Sequence, residues 1–151
     1  MINSLPPFII GLNFAGFQND RMEKKHELLT IDDIKKLVDT FYDKVRMNPL
    51  LAPVFNERIK DNWPAHLDKM YRFWQTVLLD EYTYFGSPFL PHADLPVDSR
   101  HFKEWMALFT ATVNELFTGE KAKEAIWRAG KMAEMFENKI AWSKNNPLNI
   151  L

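Results

Sequence analysis

Apolar residues recur at three- and four-residue steps in four stretches of the chain, and each stretch predicts an amphipathic helix. The first carries Ile31, Ile34, Leu37, Val38, Phe41 and Val45 on one stripe, with Tyr42 beside it. It opens at Thr30, whose hydroxyl precedes Asp33 by three positions in the manner of a capping box. It closes before Asn48-Pro49, because the residue ahead of a proline is pushed out of helical geometry. The second starts near Asn62, with Pro64 tolerated in its first turn. Its stripe is Trp63, His66, Leu67, Met70, Phe73, Trp74, Val77 and Leu78. The third is capped by Asp98 and carries Phe102, Trp105, Met106, Phe109, Val113, Leu116 and Phe117, with Gly119 as its stop. The fourth runs from about Glu120 to Trp142, with Ala122, Ala125, Ile126, Ala129, Met132, Ala133, Phe136 and Ile140 facing inward.

Between the first two helices, residues 48–61 hold two prolines and predict a connection with one short helical turn. Residues 80–98 (DEYTYFGSPFLPHADLPVD) contain Gly86, Pro88, Pro91 and Pro96, a spacing that no long helix survives. A structureless stretch of that length inside a small domain is functional more often than incidental. Its aromatics predict an ordered loop packed on the core. No alternating pattern predicts a strand, so the expected class is all-α.

Composition narrows the function. One hundred and fifty-one residues suit a single domain, here placed at 26–144. Residues 145–151 are expected to fray. Residues 1–25 form an extension whose first 19 positions carry no charge. The apolar run Leu5–Phe17 lacks a basic lead-in and a clean cleavage site, and two prolines and two glycines break it. It therefore predicts neither a secretory signal nor a membrane span, and Met22 offers an alternative start. The default expectation is a cytoplasmic protein. Twenty acids against nineteen bases leave a net charge of −1, which argues against nucleic acid as a partner. The absence of cysteine excludes disulfides, thiolate metal sites and a cysteine nucleophile. Aromatic residues reach 14%. They can fill a core or wall a pocket for a flat ligand, and composition does not separate the two.

The chain has no phosphate-binding glycine loop, no nucleophile elbow, no HExxH and no paired Glu-x-x-His of a di-iron bundle. Four histidines remain. His26 lies in a polar lead-in and is expected to be solvated. His101 opens the third helix. His92 sits in the proline-bounded PHADLP, where Pro91 and Pro96 restrict the backbone and lower the entropy cost of fixing the ring. A neutral imidazole against an apolar cavity is what a haem iron takes as its axial ligand. His66 offers a second imidazole, and Tyr42 and Trp105 offer an O–H and an N–H from inward faces. Two other readings stay open: a cofactor-free helical interaction module, and a zinc site on His92 and His101 with Asp94 and Asp98.

At this point the chain resembles the truncated haemoglobins, and among them the third group, from about Leu28 to Ser143. The segments FYDKVRMNPLLAPVFN, NWPAHLDKMYRFW, GSPFLPHADLP and FKEWMALF carry the resemblance through their order and spacing. The resemblance implies a shortened globin, two helices over two, around haem b. It implies His92 as the axial ligand to iron. It further implies Tyr42, His66 and Trp105 around the bound ligand, with Met70, Phe73, Trp74, Phe55 and Phe89 as pocket walls and Lys69 near a haem propionate. His66 would gate ligand access or bind the iron. The implied ligands are dioxygen, nitric oxide and carbon monoxide. Oxygen binding, or nitric oxide or peroxide detoxification served by a reductase, would be the activity. The apolar extension departs from the family pattern.

Overall fold

The computed structural model describes residues 24–147, so the expectations for residues 1–23 and for the last four positions lie outside it. Five helices make the fold: α1 (Ile31–Met47), α2 (Ala52–Ile59), α3 (Trp63–Leu79), α4 (Ser99–Leu116) and α5 (Glu120–Asn145). The stretch expected to hold one turn in 48–61 is the two-turn α2. Pro53 sits in its first turn, where a missing N–H leaves no bond unmade.

The start of α1 follows from its local chemistry. Thr30 Oγ1 accepts the Asp33 amide at 3.2 Å, while Asp33 Oδ2 accepts the Thr30 and Leu29 amides, each at 2.9 Å. Asn48 ends the helix, and its Oδ1 accepts the amides of Leu50 and Leu51 to start the turn into α2. Asp98 caps α4 by accepting the Arg100 amide, and His101 completes a reciprocal box by accepting the Asp98 amide through Nδ1.

One feature departs from the expected all-helical chain. His26–Glu27 (β1) pairs in parallel with Phe117–Thr118 (β2), beyond the end of α4. His26 is accordingly no freely solvated residue. Its Nε2 meets Asp33 Oδ1 at 2.7 Å, and its ring stands edge-on to Phe117. Gly119 turns the chain from β2 into α5 with φ of +89°. A Cβ there would lie 3.0 Å from the Glu27 side chain, so glycine meets a conformational and a steric demand at once.

Helix α1 packs against α2, α3 and α4, and α5 closes the molecule against α4 and the edge of α3. Alanines at 122, 125, 129 and 133 are buried and let α5 approach closely. In the core the Phe109 ring lies between Trp74 (centroids 5.0 Å, 20°) and Trp105 (5.3 Å, 3°). Phe41 meets Phe109 and Trp105 edge-on. Leu28, Ile34, Leu37, Val45, Leu78 and Val113 are wholly buried, and each contributes roughly 1.5–3 kcal/mol by leaving water. No described helix is long and apolar enough to cross a membrane.

Candidate functional site

The core does not fill the molecule. A cavity of about 160 Å³, open to solvent, is lined by residues of α1, α2, α3, α4, α5 and the 80–98 loop. Helical periodicity aims much of its lining. His66, Met70, Phe73 and Trp74 stand at steps of four, three and one on α3, so all four face one side. Trp105 comes from α4 and Phe136 from α5. On α1 the neighbours Phe41 and Tyr42 part company: Phe41 enters the core stack and Tyr42 turns to the cavity.

The loop supplies His92. Within 80–98 the chain forms a single 3₁₀ turn, Leu90–His92. The His92 amide donates to Phe89 O at 2.8 Å, and its ring Nδ1 lies 2.7 Å from the Pro88 carbonyl oxygen. A carbonyl only accepts, so Nδ1 carries the hydrogen and the lone pair is left on Nε2. The ring rests against Phe136 at 4.8 Å. Burial holds the His92 pKa below its ordinary value, the bond to Pro88 opposes this, and the charge of Arg58 adds to the lowering. All of this describes a neutral imidazole with one committed nitrogen and one available to a metal.

His66 faces it from α3. Its ring stands edge-on to Tyr42 (5.1 Å) and to Trp63 (5.6 Å). Its Nε2 is buried with no hydrogen-bond partner. Burial, then the positive fields of His92 and Lys69, pull its pKa down to about 4. Burial pushes the Tyr42 phenol well above its usual range, so it remains an O–H.

Of the ten residues singled out in the sequence, His92, Met70, Phe73, Trp74, Phe55, Lys69, Tyr42, His66 and Trp105 all border this cavity. Phe89 is not among the lining side chains. Its ring packs on that of Phe136, with the Lys139 ammonium 4.8 Å from its centre. Pattern reading missed Phe136, Met132, Tyr84 and Leu95 as lining residues. Phe136 and Met132 read as ordinary core positions, and Tyr84 and Leu95 lie in a loop without periodicity. The zinc reading fails on placement. Among the described residues no three His, Asp or Glu side chains converge. His101 Nδ1 is engaged with Asp98, and Asp94 pairs with Arg58.

The chemistry of this cavity fits haem. It has apolar walls for a flat macrocycle, one imidazole with its tautomer set for a metal, and an orphaned buried nitrogen opposite that lacks a partner.

Comparison with known proteins agrees. The bacterial-like globin family matches residues 26–140. Group 3 truncated hemoglobin ctb of Campylobacter jejuni is 35% identical over 120 residues, covering 77% of this chain and 94% of that protein. The crystal structure of group III truncated hemoglobin from Campylobacter jejuni superposes with a TM-score of 0.70 at 34% identity, over 77% of this chain and 94% of that one. With the two-over-two helices, the loop-borne histidine and these relatives together, the chain belongs to the bacterial-like globins and is a haem-binding protein of the truncated, group III kind.

Proposed function

We propose that the protein binds haem b through His92 and uses it to hold dioxygen and related diatomics, nitric oxide and carbon monoxide, between the porphyrin and the Tyr42–His66–Trp105 side of the cavity. The observation that carries the reading is the Nδ1–H bond of His92 to Pro88, because it commits one nitrogen of this cavity-lining imidazole and leaves the other a lone pair suited to iron. Haem, when bound, supplies an iron that takes up such ligands.

The remaining work belongs to the side chains. Phe55, Met70, Phe73 and Phe136 line the cavity with apolar surface and would exclude water from a planar apolar group held there. Phe136 also keeps the His92 ring from rotating. Tyr42 keeps its proton because it is buried, so it can donate to a guest that has gained negative charge. Trp105 is held by its stack on Phe109 and offers an indole N–H that can only donate. His66 stays neutral down to about pH 4 and presents its unpaired Nε2 to whatever enters. Two donors, the buried Tyr42 and the partly buried Trp105, favour tight retention of a polar diatomic over rapid exchange.

An absorption spectrum of the protein as purified, then with dithionite, then with carbon monoxide, tests the reading. The expected result is an intense band near ~400 nm that moves with each addition. A colourless protein that fails to take up added haemin would end the proposal.

A further inference from the structure

Arg58 lies on α2 one turn beyond the cavity-lining Val54 and Phe55, and its guanidinium reaches the loop that bears His92. Nη1 donates to the Pro91 carbonyl at 2.7 Å and Nη2 to Asp94 Oδ1 at 3.0 Å, 33 and 36 residues along the chain. The two acceptors flank His92 in sequence. On its other side the same loop is held by α5, through Phe136 against His92 and Phe89 and through Lys139 over Phe89. The ring contacts thus seat the His92 turn on α5, and Arg58 ties it to α2.

We propose that Arg58 is a positioning residue: a two-armed latch from α2 to the loop that holds the 3₁₀ turn, and with it the His92 imidazole, in place. The geometry needs an arginine. A planar fork can serve a backbone carbonyl and a carboxylate together, whereas an ammonium on a flexible stem serves one at a time. The bond to Pro91 matters more than the ion pair. Asp94 is 80% exposed, and an ion pair in that setting contributes little by itself. The carbonyl bond acts on the backbone of the residue before His92, so it restrains the turn directly. The helix of Arg58 also carries Phe55, whose ring meets Tyr42 at 6.0 Å. One short helix therefore touches both the His92 loop and Tyr42.

The inference rests partly on the haem reading, and its test has one arm that does not. In the apoprotein, hydrogen exchange of the amides of His92, Ala93, Leu95 and Val97, all bonded within the loop, is compared between wild type, Arg58→Ala, Arg58→Lys and Asp94→Asn. Arg58→Ala is expected to speed their exchange about tenfold, with α1 and α5 amides unchanged. Asp94→Asn should stay within about twofold of wild type, and Arg58→Lys should restore only part of the protection. In the loaded protein, haem transfer to an apoglobin acceptor should be about tenfold faster for Arg58→Ala, with a shifted and broadened iron–histidine stretching band in the ferrous state. Loop exchange within about twofold of wild type in Arg58→Ala overturns the latch. So does full restoration by Arg58→Lys combined with an Asp94→Asn loss equal to that of Arg58→Ala, which would make charge alone the cause. Failure of the wild type to load haem would instead sink the proposed function, leaving the exchange comparison to judge Arg58.

Discussion

His92 owes its tautomer to a carbonyl four residues earlier. The Pro88 oxygen takes the Nδ1 hydrogen, and the other nitrogen keeps its lone pair. His92→Ala is expected to retain the helical fold, because the ring lies at a cavity edge, but to purify with little haem; a haemin titration followed at the ~400 nm band measures this. Tyr42 plays a different part. Tyr42→Phe removes a donor without changing shape, so haem content should hold while dioxygen release accelerates about ten- to hundredfold, the worth of a hydrogen bond to a partly charged acceptor. Stopped-flow displacement of dioxygen by carbon monoxide checks it, and an unchanged release rate would remove Tyr42 from the ligand's surroundings. Phe89 shows where residue-level reading stops. It has the right chemistry for a pocket wall and sits in the right loop, yet its ring is spent on Phe136 and Lys139.

At the scale of elements, the caps carry much of the specification. Asp33 is the clearest case. Burial alone would raise its pKa, but the bonds from His26, Leu29 and Thr30 outweigh burial and hold it at about 2. Since the folded value lies below the ordinary 3.8, its stabilisation is complete above that value. It is lost as pH falls through about 2, and it amounts to ~2 kcal/mol at neutral pH. Asp33→Asn should lower stability by about that amount near neutrality, and the gap to wild type should close between pH about 4 and about 2 in denaturant titrations. Gly119 is the second test. Gly119→Ala must place a Cβ at φ +89° and 3.0 Å from Glu27, so it should cost about 1–3 kcal/mol and loosen β1 from β2, read as a lower thermal midpoint. The helices α1, α3, α4 and α5 were legible because their apolar residues keep a 3.6-residue period, and α1 and α4 also because a capping side chain marks their start. The length of α2 was not, because eight residues with a proline at the start carry too little periodicity. Nor was the β1–β2 pair, since a two-residue strand has no pattern of its own.

For the whole molecule the cavity is the dominant fact. A chain of this size that leaves such a space among apolar walls forgoes packing contacts which a bound ligand restores. Removing haem should therefore lower the thermal midpoint and expose apolar surface to a hydrophobic dye, while readdition reverses both. The gain grows with the logarithm of free haem over its dissociation constant. A midpoint indifferent to haem would show that the cavity is not where haem binds.

The order of residues was enough to establish an all-α domain, its principal helices and the loop that no helix could cross. Those properties are local: they follow from periodicity and proline placement within a few turns of chain. Three dimensions were needed to decide which aromatics became core and which became wall, as with the adjacent Phe41 and Tyr42. They were needed also to give His92 its tautomer, to strip His66 of a partner, and to bring Arg58 across to the Pro91 carbonyl. Each of these depends on contacts between segments far apart in the chain, and a one-dimensional pattern holds no record of which distant faces meet.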